Sequence, residues 1–431
     1  MMVFPHLPWL IATDNDPALM ADFAILCAFG GRLSGSGQDS AALNWALGRL
    51  RAAGARATRL DVPYDGWRCL RSSLALAGPR AAALSCWPLL RSASTAAGGL
   101  EAEVVDLGPG RQSDFARLGG RLRGRIALVC HEYPYAAGHV HHHRKYDMAV
   151  AAGAAGFLIA NPWEGGGLLA GWSGRPRGTA GIPAASVDHA SARRLSRAAQ
   201  AGPARVRMVV EGEETPRARA GVGVADLPGG RDGWIVISAH VDGLDLGNSA
   251  LDNASGVAVA LAAARALARR VGPSTPGLRI CLFTAKEWGL AGSARYLAQM
   301  GDGERNSLKL NINLDTVAGD DSLTALTSGF PGLPALVRRA GDVASLPIGV
   351  HEPLMPDSDH ASFACHGIPA LRLLAGFERP ASRARAVLGA NDRTSIVKED
   401  ELQRALRATC AMAGLAMALS DAELANLAER S

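Results

Sequence analysis

From residue 216 onward the chain alternates apolar runs of strand length with runs of helical spacing. GWIVISAHVD (233–242) reads as a strand and SGVAVALAAARALARR (255–270) as the helix after it. RICLFTA (279–285) and GLAGSARYLAQM (289–300) repeat the pattern, and LKLNINLD (308–315) and IPALRLL (368–374) supply two more strands. Near-continuous apolar strands are the mark of burial on both faces. Strands that alternate with helices build a mostly parallel sheet covered by helices. The expected fold class is therefore α/β, a mostly parallel central sheet flanked by helices. In such sheets ligands collect beyond the carboxyl ends of the strands.

The first 215 residues have a different texture. PALMADFAILCAFGG, a turn at GRLSGSGQ, and DSAALNWALGRLRAAGA read as two helices across 17–55, with Asp39 or Ser40 as cap of the second. From about 76 to 215, short strands at GRIALVC (124–130), FLIANP (157–162) and GIPAASVD (181–188) surround one small-residue helix, HRKYDMAVAAGAAG (143–156). RVRMVVEGEE (205–214) reads as the exit strand. The pattern predicts a compact β-rich module over about 76–215.

At 431 residues the chain is long enough for two domains with their own cores. No apolar run reaches the roughly 18–20 residues of a membrane span, so no membrane partner is expected. The opening MMVFPHLPWLIATDND lacks a basic start and meets Asp14 and Asp16 early; it reads as an ordinary segment, not a signal peptide. Seven scattered cysteines, without a CxxC pair, speak against a disulfide framework and point to a reducing cytoplasm. The net charge of +5 is spread along the chain, so no nucleic-acid partner is expected. HVHHHR (139–144) offers four imidazoles but reads as an exposed loop before a helix. There is no GxSxG elbow and no cysteine in a nucleophile context. Oligomeric state leaves no trace in the sequence.

The strand ends carry a specific set of side chains. The first ends in His240-Val241-Asp242, and Asp252 follows in LDNASG at a helix start. The second ends at Lys286-Glu287 and the third at Asp315; Asp359 and His360 come later in SDH. One imidazole and three carboxylates from neighbouring strand ends suit zinc, with manganese or cobalt as alternatives. Asp242 projects to the same face as His240 and can orient its ring. A single acidic residue at a strand end is usually a cap; a candidate ligand at each successive strand end is not expected by chance.

HVD, LDNASG, KEWGLAGS, NLD and SDHASF, in this order, resemble the zinc-dependent exopeptidase family of bacterial leucine aminopeptidases, glutamate carboxypeptidase and glutaminyl cyclase. RLSGSGQDSAALNWALGRLRAAGA resembles that family's N-terminal helix region, and residues 76–215 resemble the protease-associated (PA) domain often inserted in it. The resemblance implies the zinc exopeptidase fold, with 1–75 and 216–431 as the peptidase domain. It implies two zinc ions: His240 and Asp315 on one, Glu287 on the other, Asp252 bridging, and a cis bond at Asp252–Asn253. The implied activity is aminopeptidase-like hydrolysis of a small peptide or amide substrate.

The chain departs from the family twice. Where the family has two acidic residues, this chain has Lys286-Glu287, so the usual glutamate base is replaced by a lysine. A charged ammonium cannot accept a proton. The family's last zinc histidine is also missing, since no histidine follows His366; Gly389 falls at its place by length, and Asp392 by a shifted register. Arginine dominates the basic residues, and the only lysines are Lys145, Lys286, Lys309 and Lys398, so Lys286 is not compositional noise. Three roles are open to it: a neutral base, a resident cation in place of one metal, or the mark of a binding protein without catalysis. A cyclase or acyl-transfer enzyme needing one zinc is a further alternative. His360 is expected to contact substrate.

Overall fold

A computed structural model describes residues 10, 13, 16–78, 81–176 and 178–428. Of the opening segment read as ordinary chain, only Leu10, Thr13 and Asp16 fall within these. The chain forms two compact units: Met1–Tyr64, Arg219–Val387 and Asp392–Ser431 in the first, Asp65–Ala218 and Leu388–Asn391 in the second. Arg56–Leu76 and Arg205–Leu227 are long strands that carry the chain from one unit to the other and back.

The sheet of the first unit runs Ile348–His351, Leu323–Leu326, Ala370–Ala375, Leu308–Leu314, Trp234–His240, Gly277–Phe283 and the end of Arg205–Leu227. Ala370–Ala375, Leu308–Leu314, Trp234–His240 and Gly277–Phe283 are mutually parallel. Leu323–Leu326 runs antiparallel to Ala370–Ala375 and parallel to Ile348–His351, and Val222–Leu227 runs antiparallel to Gly277–Phe283. Ile235, Val236, Ile237, Ile280 and Leu282 are wholly buried, each worth about 1.5–3 kcal/mol of apolar burial.

Helix Ser255–Ala268 packs against three of these strands and against helices Leu19–Ala28, Gln38–Ala52 and Glu399–Ala418. Its sequence explains how. Alanine favours the helix, and small side chains let neighbours approach on every side, so even Ala258, Ala260 and Ala262–Ala264 are buried. The two N-terminal helices form as expected, but the cap differs. Gly37, with φ 86°, stands at the start of Gln38–Ala52, and Asp39 lies inside the first turn. A glycine tolerates the left-handed backbone that the tight SGSG turn imposes.

The second unit holds more strands and more helices than its sequence suggested. Leu100–Asp106, Ile126–Cys130, Gly156–Ala160 and Ala184–Val187 form a parallel centre. Cys86–Pro88 and Arg205–Met208 run antiparallel on its two sides. Gln112–Leu118, His142–Ala151 and His189–Ala201 are helices, three rather than one. Val129, Phe157, Ile159, Leu107, Phe115, Leu122 and Tyr146 make its core.

Candidate metal centre

Register places Phe283 beside His240 and Ser238 beside Asn313. The residues that follow these strands therefore leave the sheet at one edge. Non-glycine residues with positive φ occur at each departure: Ser249 (46°), Ala285 (58°) and Thr316 (60°). Such backbone costs on the order of 1–3 kcal/mol per residue and persists where the surroundings impose it.

His240, Asp252 and Asp315 come together, with one ligand atom from each within 4.8 Å of the others. The His240 ring is fully buried. Its Nδ1 lies 2.8 Å from the main-chain carbonyl of Asp242 and 3.6 Å from that residue's carboxylate. Asp242 thus orients the ring through its carbonyl, whereas its carboxylate oxygens accept the main-chain N–H of Lys286 and of Glu287, each at 3.2 Å. With Nδ1 donating, Nε2 would be the coordinating atom. Nε2 makes no hydrogen bond, yet it lies 2.9 Å from Asp252 Oδ1 and 3.7 Å from Asp315 Oδ1. Burial opposes a charge on the ring, but these carboxylates raise the His240 pKa, so a proton or a cation can sit between Nε2 and the oxygens, and the donor set fits a divalent ion.

Glu287 lies outside that group of three. Its Oε1 is 3.0 Å from Lys286 Nζ, which is also 3.3 Å from Asp252 Oδ1 and 3.9 Å from Asp315 Oδ2. Burial opposes the lysine charge, but the carboxylates of Asp252, Asp315 and Glu287 hold its pKa well above the ordinary value. These three carboxylates favour the ammonium form of Lys286. Burial pushes the Glu287 carboxyl up, and the lysine opposes that rise.

Asp392 serves the centre from behind. Its Oδ1 accepts Leu251 N–H at 2.7 Å and its Oδ2 accepts Asp252 N–H at 3.2 Å. It fixes the main chain that presents Asp252 and is not among the three clustered ligands. His360 is fully buried at the start of His360–Cys365. Burial and the nearby Arg372 lower its pKa to about 3, so it is neutral. The Asp252–Asn253 bond is cis.

Several supporting residues escaped the sequence reading. Arg372 Nη2 lies 3.1 Å from Asp315 Oδ1; its signal was a charge inside the apolar run IPALRLL. Ser358 donates to Asp315 Oδ2 at 2.5 Å. Asn311, Ser238, Asn313 and Ser358 pass hydrogen bonds in one direction toward that carboxylate, each at 2.8 Å. The signal was Asn311, Asn313 and Asp315 at period two, on one face of a strand. With Arg372 and Lys286 close by, Asp315 is held well below the usual carboxylate range despite its burial. Asn253 donates to Leu314 O at 2.8 Å and accepts from Gly256 and Thr316 N–H, tying the Asp252 loop to the Asp315 strand. A Cβ on Gly256 would lie 2.4 Å from both Asn253 Oδ1 and Leu314 O.

Arg32 was passed over as turn sequence. Fully buried, it donates to Val241 O, Leu26 O, Gly30 O, Asn248 O and Ser249 O at 2.7–3.0 Å. It thereby shapes the loop between His240 and Asp252. The histidine run 139–144 is not an exposed loop: His142 is buried and its Nε2 meets Trp172 O at 2.7 Å, while His141 caps helix His142–Ala151 by accepting His143 N–H.

An α/β sheet that brings an imidazole and two carboxylates to one edge has the architecture of the zinc-dependent exopeptidases. Residues 224–413 match peptidase family M28 and residues 91–195 match the PA domain. Probable leucine aminopeptidase 2 of Aspergillus fumigatus is 28% identical over 285 residues, which are 62% of this chain and 54% of that protein. The chain spans about half the length of the curated relatives it matches. A peptidase M28 precursor from Shewanella amazonensis superposes with a TM-score of 0.78 at 20% identity, over 96% of each chain. A zinc aminopeptidase from Bacillus subtilis superposes with a TM-score of 0.70 at 20% identity, over 94% of this chain and 95% of the other. The region 224–413 is thus similar to peptidase family M28, and the region 91–195 to the PA domain.

Proposed function

We propose that the chain is an aminopeptidase-like metallohydrolase that cleaves a peptide or amide bond of a small substrate. One divalent ion, zinc foremost, is held by His240, Asp252 and Asp315. The observation that supports this is the buried His240 Nε2, without a hydrogen bond and facing two carboxylate oxygens. A divalent ion so held polarises a carbonyl and makes a bound water more acidic.

The chain's own groups do the rest. Hydrolysis joins a water oxygen to the carbonyl carbon and breaks the carbon–nitrogen bond; a water proton ends on the leaving nitrogen. Lys286, as an ammonium between Asp252 and Glu287, stands as a fixed cation in place of a second ion and stabilises the oxyanion. Glu287 pairs with it, Asp242 and Asp392 fix the main chain around both, and His360 lies behind as a neutral wall. Scattered cysteines without a CxxC pair favour a cytoplasmic setting, and among the described residues no helix is long and apolar enough to cross a membrane.

Metal analysis after dialysis against zinc tests the reading. Wild type is expected to retain one ion per chain, and Asp315→Asn to lose it together with hydrolysis of a panel of small amides. A wild-type chain that takes up no divalent ion sinks the proposal.

A further inference from the structure

The second unit gathers imidazoles of its own at the start of helix His142–Ala151. His141, the residue before the helix, and His143, in its first turn, have ring centres 4.4 Å apart. Their Nδ1 atoms are 2.6 Å apart, and two ring nitrogens so close share one proton. The His141 atom also accepts the His143 main-chain N–H, at 3.3 Å, so the proton is on His143. Two other imidazoles of the run are tied to main chain. His139 Nδ1 donates to Ala136 O at 2.9 Å and His142 Nε2 to Trp172 O at 2.7 Å. Trp172 stands beside the pair, its main chain bridged to Leu90 and its ring 5.7 Å from that of His143. A Cβ on Gly174 would fall 2.7 Å from His143 Cβ, so a glycine there lets this segment lie against the histidine. The Trp172 Nε1–H is buried and meets no acceptor among the described residues. A buried donor so placed calls for a water or a ligand atom.

We infer that His141 and His143 form a second metal site, for copper(II) or nickel(II), which binds through both Nδ1 atoms. Donors about 2.0 Å from an ion lie about 2.8 Å apart at right angles, and about 3.3 Å apart at tetrahedral angles. The 2.6 Å separation is closer to the square plane than to the tetrahedron of zinc. Imidazole suits copper and nickel, and copper(II) stands highest among the divalent ions in affinity. The ion replaces the shared proton, which moves to His143 Nε2. It also displaces the cap bond from the His143 main-chain N–H, a long one at 3.3 Å. Water fills the remaining positions and gives the Trp172 Nε1–H an acceptor. The site is independent of the hydrolase reading, and zinc, held weakly here, leaves it on dialysis.

Equilibrium dialysis against copper(II), with electron paramagnetic resonance of the bound ion, tests this in the full chain carrying Asp315→Asn, which disables the first centre. One copper(II) per chain is expected, with nitrogen couplings from two imidazoles and an affinity at least about tenfold above that for zinc. Added to that background, His143→Gln and His141→Asn are each expected to weaken copper binding at least about tenfold. His141→Asn keeps a capping oxygen before the helix, so its loss of copper is not a loss of the helix. His366→Gln, exposed in the other unit, is expected to change nothing. The same signal is expected in wild type, over that of the His240 centre, so the test stands if Asp315→Asn does not fold. Copper uptake that neither histidine variant weakens overturns the inference, as does a resonance without nitrogen coupling, or a chain that takes up no copper. Zinc bound at this pair as tightly as copper also overturns it.

Discussion

Arg32 shows how much of the centre depends on groups that never touch it. Its donors reach five main-chain carbonyls, three of which belong to the segment between His240 and Asp252. A planar guanidinium offers a fixed fork of donors, and a lysine offers three from one point. Arg32→Met leaves buried carbonyls without donors and is expected to cost about 3–5 kcal/mol. Arg32→Lys should recover only part of that. Urea denaturation measures both losses, and zinc titration of the same variants should show weaker binding, because the loop that presents Asp252 loses its frame. A variant as stable as wild type would contradict the role given to this side chain.

At the scale of elements, helix His142–Ala151 is docked by a buried charge. Lys145 Nζ donates to Pro109 O, Cys130 O and Glu132 at 2.6–2.9 Å from a side chain without exposure. Lys145→Met leaves Glu132 without its buried partner and is expected to destabilise the second unit by about 3 kcal/mol. The same pair sets a pH dependence. Burial raises the Glu132 pKa, but hydrogen bonds from Lys145 and Arg111 outweigh it and hold the carboxyl below its ordinary 4.5. Its contribution is therefore complete above that value and fades as pH falls through the depressed one. Denaturation midpoints between pH 7 and pH 3 should fall less steeply for Glu132→Gln than for wild type; parallel curves would contradict the linkage.

For the whole molecule, the proposed metal would couple to folding. An ion that binds only the folded chain stabilises it by about 2.7 kcal/mol at a hundred times its dissociation constant. Calorimetric melting should therefore shift upward with added zinc in wild type, and Asp315→Asn should remove the shift. In Lys286→Glu the shift should grow, since a carboxylate replaces the ammonium beside Asp252 and Glu287. Identical melting with zinc and with chelator would show that the two cations already satisfy the centre.

The order of strands and helices was legible because apolar periodicity reports burial directly, residue by residue. His240, Asp252, Glu287 and Asp315 stood out because parallel strands deliver their ends to one edge, and Lys286 because a lone lysine sits where a base is expected. The sequence could not say that Asp392 would be claimed by two main-chain N–H groups, or that Arg372, Ser358 and Arg32 would converge from more than forty residues away. Local pattern determines which face of an element is buried. Which charge neutralises which depends on distances across the fold, and only the packed chain decides those.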